Sequence, residues 1–256
     1  MEILYQDNDI IVVNKPAGLN VTNDRGSGEN LIAFLQKQTD EEDLMIIHRL
    51  DKDESGVILL AKNKDAQTRF CDLFEKSKVK RTYLALVAGR PEGPIGQINI
   101  PIMQSKKDSR KMEVAVKMGK DAETRWELLA DFGRVSLLAV LPITDRTHQI
   151  RVHFQHEGFP LVIDPLYGEN TPLMLSSFKS NYRLSKYAEE IPLIERLTLC
   201  VYELEIENHH FVAPLEKKFK ASIKMLTKYN PKGPAAFVNK ENFDYLLNSK
   251  PLSLNI

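Results

Sequence analysis

I-I-H-R-L-D-K-D-E-S-G-V-I-L-L-A-K, Ile46 to Lys62, sets a charged corner, His48-Arg49-Leu50-Asp51, directly before Gly56 and the apolar run Val57 to Ala61. The run is short, opens on a β-branched residue and is bounded by turn chemistry, so it reads as a buried strand rather than a piece of helix. Asp51 then stands at the edge of a sheet, two residues after Arg49. A carboxylate held there by rigid backbone is placed to act on a molecule bound in a cleft. The segment taken alone favours a plainer reading, a loop with a satisfied ion pair, because such pairs are common and contribute little.

Upstream, Ile3 to Tyr5 and Ile10 to Asn14 read as strands around the turn Asp7-Asn8-Asp9, and Lys15-Pro16-Ala17-Gly18 sets a second turn. Leu31, Ile32, Phe34 and Leu35 suggest a short amphipathic helix after Asn30, followed by the acidic loop Glu41-Glu42-Asp43. Downstream, Ala66, Phe70, Leu73 and Phe74 recur at helical spacing over about 64–76, with Cys71 as core filler. R-T-Y-L-A-L-V-A-G, Arg81 to Gly89, alternates as a strand.

The chain has 256 residues, 43% hydrophobic and 27% charged, the make-up of an ordinary globular protein with one large core or two modest ones. Basic and acidic residues number 35 each, so an anionic partner must be held by a local patch rather than a global field. Cys71 and Cys200 offer neither a disulfide framework nor a zinc ribbon, which points to a reducing compartment. The N-terminus lacks a basic segment followed by an apolar one, and no run is long enough to span a bilayer, so the expectation is a soluble cytoplasmic protein.

Between Pro91 and Lys120 the sequence carries Lys106, Lys107, Arg110, Lys111, Lys117 and Lys120. Such an arm can lie along a phosphate backbone, and a solvated charged face is an equally good reading of the run by itself. Thr124 to Ala130 and Val135 to Leu141 look like paired strands joined through Asp131-Phe132-Gly133-Arg134. Thr147 is a fair N-cap for a helix over His148 to His156 ended by Gly158, with Arg151 one turn beyond His148 and away from Ile150 and Phe154. The turn Asp164-Pro165-Leu166-Tyr167-Gly168 follows. Residues 171–195 read as loop or weak helix, Arg196 to Glu207 as a strand, and Leu215 to Leu226 as a basic helix. The tail after Asn230 holds Phe237, Phe243 and Tyr245, which fit either a docked segment or a frayed terminus. Strand and helix order suggests an α+β fold with a mixed, mostly antiparallel bent sheet flanked by helices.

Three blocks, H-R-L-D-K-D-E-S-G-V at 48–57, R-T-Y-L-A-L-V-A-G at 81–89 and R-T-H-Q-I-R-V-H at 146–153, resemble in order and spacing the signature motifs of the RluA-like pseudouridine synthases. The resemblance runs from Ile3 to Leu226 and implies a catalytic domain over 1–226 with a central cleft, a tail over 227–256, and no separate N-terminal RNA-binding domain. It implies that Asp51 is the essential aspartate and that Arg49 fills the place of the extruded nucleotide. Tyr83 would stack on the target base, and Arg151 would be the cation paired with the aspartate. His48, Arg146 and His148 would line the cleft, and Lys106 and Lys107 would hold RNA. Glu54 and Asp145 stand where the family usually has threonine and glycine, adding negative charge near a cleft meant for RNA.

The implied reaction moves uracil from a nitrogen to a carbon linkage on its sugar without redox change, so no cofactor is implied. The implied partner is rRNA or tRNA, with no membrane and no metal, and the chain is expected to act as a monomer. Asp51 could attack the sugar or take the C2′ proton; the sequence leaves both open. Metal-dependent hydrolysis using His48, Asp51, His148 and His153 is one rival, weakened because residues 148 and 153 splay around a helix; activity that survives a chelator would remove it. A catalytically inactive RNA-binding protein is the other, and label release from C5-tritiated RNA separates the two.

Overall fold

The computed structural model describes residues 1–22, 29–179, 182–183 and 189–256. In chain order the elements are β1 Glu2–Gln6, β2 Ile10–Lys15, α1 Leu31–Thr39, β3 Met45–Ile46, β4 Ser55–Ala61, α2 Lys64–Glu75, β5 Val79–Ala88, β6 Ile95–Asn99, β7 Ile102–Gln104 and β8 Met112–Val114. They continue with β9 Glu123–Asp131, β10 Val135–Pro142, α3 Gln149–His156, β11 Leu199–Ile206, β12 His209–Val212, α4 Lys217–Tyr229 and α5 Lys240–Leu247. The fold is α+β, with a mixed, mostly antiparallel sheet and helices, as expected. Two compact units divide the chain, residues 1–83 with 200–214, and residues 84–199 with 215–256. Among the described residues no helix is long and apolar enough to cross a membrane.

In the first unit β4 is the buried centre. It pairs antiparallel with β2 on one side, from Ile10↔Ala61 to Lys15↔Gly56, and parallel with β11 on the other, through Cys200↔Ser55 and Val201↔Gly56. Buried on both faces, Val57 to Ala61 has no need of polar alternation, which is why the run reads as continuous apolar sequence. Gly56 has φ of +110°, and a Cβ there would lie 1.9 Å from the carbonyl oxygen of Val201, so only glycine lets β11 close on the start of β4. The Asp7 carboxylate accepts the N–H groups of Asp9 and Ile10, both at 2.8 Å, making the expected turn between β1 and β2. Asn30 and Asn63 cap α1 and α2 by accepting the Ala33 and Ala66 N–H groups. Leu31, Leu35, Ala66 and Phe70 bury the inner faces of these two helices.

In the second unit β10 and β6 flank β9, both antiparallel, and β7 with β8 forms a separate two-stranded sheet. Strands β6, β7 and β8 occupy the stretch read in the sequence only as a basic arm. Each is five residues or shorter, too brief for a periodicity to stand out. Strand β11 starts three residues later than expected. Of the segment 171–195, residues 180–181 and 184–188 lie outside the described residues; the rest holds a short 3-10 turn at Leu175–Ser177 and a bridge between Leu173 and Ile194.

The tail is docked. Phe243 and Leu246 of α5 are buried, and the buried carboxylate of Glu127 on β9 accepts hydrogen bonds from the Asn239 side chain at 2.5 Å and the Asn255 backbone at 2.7 Å. Residues 215–256 therefore fall in the same compact unit as 84–199.

Candidate active site

From His48 to Leu50 the corner before β4 alternates in, out and in. Ile47, His48 and Leu50 are buried, Arg49 is exposed, and Asp51 is half-buried at the head of a turn. That turn is closed twice. The Glu54 N–H donates to the Asp51 carbonyl at 3.2 Å, and the Glu54 carboxylate accepts the Asp51 N–H at 3.0 Å. Glu54, an unexpected acid at this position, thus acts on the backbone that presents Asp51.

Beneath the turn lies Lys15, whose side chain is fully buried. Its ammonium donates to the carbonyls of Pro16, Leu19 and Lys52 at 3.1, 2.8 and 3.0 Å, a partner for each of its three N–H groups. The Lys52 carbonyl also accepts the Gly18 N–H at 2.8 Å. Two loops far apart in sequence are tied together under Asp51, and the acid inherits their rigidity. In the sequence Lys15 is only the first residue of a turn; its signal is a lysine closing an apolar strand just before Pro16, a cation with no obvious route to solvent.

His48, expected to touch substrate, has an internal post instead. Its ring stacks on Phe74 with centroids 4.4 Å apart and 18° between planes, and its Nε2 accepts the Leu59 N–H at 3.0 Å. The proton therefore sits on Nδ1, which is buried and makes no hydrogen bond among the described residues. Burial, with the positive charge of Arg81 second, holds the pKa well below the ordinary histidine value. Arg81 lies 5.5 Å from the Phe74 ring centre and 6.0 Å from that of Tyr83. Residues 81 and 83 share one face of β5, and Tyr83 is largely buried there.

The second unit holds the other expected residues. Helix α3 begins after His148, which takes a left-handed conformation at φ 55° with no side-chain cap, so Thr147 is not the N-cap. Gln149 organises this entry. Its Oε1 accepts from Thr144 Oγ1 at 2.7 Å and from the Arg146 N–H at 3.2 Å, and its Nε2 donates to the Glu123 carbonyl and Thr124 Oγ1. Arg146 is exposed, with Nε donating to the Asp121 carbonyl at 3.1 Å.

Arg151 is buried and forked on Asp164, Nε to Oδ2 and Nη2 to Oδ1, both at 2.8 Å. Asp164 Oδ1 also accepts the N–H groups of Leu166 and Tyr167 at 2.9 and 3.1 Å. The Tyr167 ring centre lies 5.2 Å from the Arg151 guanidinium, and its hydroxyl pairs with His148 Nδ1 at 2.9 Å and the Met112 N–H at 2.6 Å. Asp164 and Tyr167 were visible in the sequence only as turn residues; an aspartate before proline signals a local side-chain acceptor but not its arginine. Lys106 and Lys107 are exposed at the tip of the β7–β8 hairpin, closed by a bond from the Ser105 N–H to the Lys111 carbonyl at 2.8 Å.

The histidines weighed as metal ligands are committed elsewhere. In addition to His48 and His148, His153 places Nδ1 2.9 Å from Thr124 Oγ1 and Nε2 2.9 Å from the Ile100 carbonyl, and burial lowers its pKa. Both His48 and His153 stay neutral in the folded chain while an unfolded histidine takes up a proton below about pH 6.5. The unfolded state then binds more protons, so stability is expected to fall with acidification below that pH, by on the order of 1 kcal/mol per pH unit for each residue until its folded pKa is reached. Urea unfolding at pH 7, 6 and 5 checks this; His48→Gln should flatten the slope, and an unchanged slope would exclude His48 as its source.

A family model described as RNA pseudouridylate synthase matches residues 9–156. Ribosomal large subunit pseudouridine synthase C of Buchnera aphidicola (subsp. Acyrthosiphon pisum) is 34% identical over 186 residues, covering 72% of this chain and 59% of that protein. Synthase D of the same organism is 37% identical over 224 residues, covering 85% and 67%. Synthase D of Borreliella burgdorferi is 34% identical over 200 residues, covering 72% and 61%, so the chain spans about three fifths of the length of two of these three relatives. Among solved structures, human RNA pseudouridylate synthase domain containing 4 superposes with a TM-score of 0.67 at 26% identity over 88% of this chain and 92% of that one. Domain containing 1 gives 0.69 at 23% over 99% and 96%, a likeness of fold.

Proposed function

Because the chain belongs to the RNA pseudouridylate synthase family, we propose that it isomerises uridine in RNA to pseudouridine, with Asp51 as the catalytic carboxylate. The observation that carries this reading is the doubly closed turn Asp51 to Glu54, braced by Lys15, which presents an acid at the edge of β4 beside the exposed Arg49. The relatives are named for the large ribosomal subunit, and ribosomal RNA is the first substrate proposed here, with transfer RNA second, acted on in the cytoplasm.

In the proposed reaction the bond from C1′ to N1 breaks and one from C1′ to C5 forms; C5 loses its proton and N1 gains one. Asp51 acts either on C1′ as nucleophile or on the C2′ proton as base. The target base must leave its stack, and the flat guanidinium of Arg49 suits the gap left behind. Tyr83 is proposed as the ring against the flipped base. Arg151, already oriented by Asp164 and Tyr167, is proposed as the cation that keeps Asp51 ionised. Arg146 and His148 would serve as contacts to the RNA. Incubation with RNA tritiated at uracil C5 tests the assignment: label should enter water, and its full retention across total cellular RNA would refute the enzyme.

The hairpin tip gives a separate expectation. Reversing the charge of Lys106 and Lys107 together should weaken RNA binding about tenfold and reduce the slope of log affinity against log salt by about one per lost phosphate contact, with the fold intact. Filter binding at several salt concentrations measures both, and unchanged affinity throughout would remove the tip from the RNA interface.

A further inference from the structure

Helix α4 carries five lysines and no acid, on a chain whose basic and acidic residues balance at 35 each. Its buried residues, Phe219, Ser222, Ile223 and Leu226, share one face. At about 100° per residue, Lys217, Lys220, Lys224 and Lys228 fall within an arc of about 80° on the opposite face, a stripe about 16 Å long. Lys217, Lys224 and Lys228 are exposed and Lys220 is half-buried. Among the described residues none of these four has a carboxylate partner, whereas Lys218, off the stripe, meets Glu195 at 2.9 Å. At the C-terminal end Tyr229 has the ammonium groups of Lys228 and Lys179 at 5.3 and 5.2 Å from its ring centre, which brings a further cation to the stripe.

Lysines on the other helices of the chain are neutralised locally. Lys37 of α1 meets Glu29 at 3.1 Å, Lys76 at the end of α2 meets Asp72 at 2.8 Å, and Lys240 of α5 meets Asp244 at 2.7 Å. On α4, by contrast, Lys220, Lys224 and Lys228 are like charges at successive i, i+4 spacings, which repel one another along a helix. Lys217 and Lys220 also stand near the N-terminus, where the helix dipole disfavours a cation. The stripe therefore works against the helix that carries it, and an anion outside the chain would offset it. A lipid surface would require the apolar face of the helix, which α4 spends on the core. Protein interfaces are depleted of lysine and centred on aromatic or arginine anchors, whereas the exposed residue between these lysines is Ala221. A row of lysines three or four residues apart instead matches a row of phosphates, whose contacts position a nucleic acid without reading its sequence.

We propose that the lysine face of α4 is a docking surface for the sugar–phosphate backbone of the substrate RNA, distinct from the hairpin tip and from the residues assigned to the target nucleotide. The proposal rests on the RNA-modifying function above, and it adds affinity that does not depend on sequence.

Fluorescence anisotropy of the full chain with a labelled RNA hairpin that contains no uridine tests it, since that probe reads backbone binding apart from the reaction. Lys220→Gln, Lys224→Gln and Lys228→Gln together should weaken binding about tenfold at low salt and lower the slope of log affinity against log salt by about two. The same three positions changed to arginine should keep both. Lys37→Gln, Lys76→Gln and Lys240→Gln together remove the same charge from lysines that are already paired, and should leave affinity and slope within a factor of about two of wild type. Urea midpoints of the glutamine variant should equal or exceed that of the wild type, because a repulsion along α4 is relieved. Unchanged affinity and slope in the α4 glutamine variant, an equal loss in the paired-lysine control, or loss of binding in the arginine variant would each overturn the surface. So would binding to phosphatidylserine vesicles that is lost in the glutamine variant while RNA affinity is kept. Tritium release from C5-labelled RNA by the wild-type protein reads the enzymatic assignment independently of this result.

Discussion

Asp51→Ala is expected to slow C5 tritium release by about a thousandfold or more, equivalent to about 4 kcal/mol of transition-state stabilisation, while RNA affinity stays within a factor of about two. The bonds that shape the turn at Asp51 use its backbone N–H and carbonyl, not its carboxylate. Removing the side chain therefore leaves these two turn bonds and the Lys15 brace in place. Asp51→Asn should be as inactive as the alanine variant, since an amide of the same shape is neither the nucleophile nor the base. Single-turnover release at saturating enzyme, with affinity measured in parallel, separates rate from binding. Retention of a tenth or more of the wild-type rate in either variant would take catalysis away from this residue.

The parts of the fold that could be read in advance are those where one physical pattern dominates. Strands β2 and β4 are uninterrupted apolar blocks closed by turn residues, and α2 repeats its buried residues at helical spacing, so local sequence and tertiary burial agree. The position of Asp51 and Arg49 at the entry to β4 was legible because they sit directly before such a block. Lys15, Asp164 and Tyr167 were not, because a buried charge leaves no periodic trace. What identifies Lys15 is three carbonyls on two loops, one of them 37 residues away. His48 misled for a related reason: adjacency to Arg49 suggests the cleft, but the alternation of the corner turns its ring inward onto Phe74. At α3 intrinsic preference favoured Thr147 as cap, and the Gln149 side chain overrode it by holding the Arg146 N–H and leaving His148 left-handed.

The Arg151–Asp164 pair leads to the second large effect, this time on stability. Asp164→Ala should destabilise the protein by about 3–5 kcal/mol, because it takes the forked carboxylate partner away from a buried guanidinium. Asp164 is fully buried and Arg151 nearly so, which removes the screening that makes surface pairs weak. The same substitution also deprives the Leu166 and Tyr167 N–H groups of their acceptor. Asp164→Asn separates these contributions, since an amide oxygen still accepts from the backbone but carries no charge; its cost should fall between wild type and alanine. Combining Arg151→Met with Asp164→Asn should recover part of that cost, since both charges of the forked pair are then removed together. Urea unfolding of wild type, Arg151→Met, Asp164→Asn and the double variant closes the cycle and gives the coupling energy. A cost below about 1 kcal/mol for Asp164→Ala would mean that Arg151 finds another buried anion or reaches water when its partner is gone, and the rigidity ascribed to this arginine would go with it.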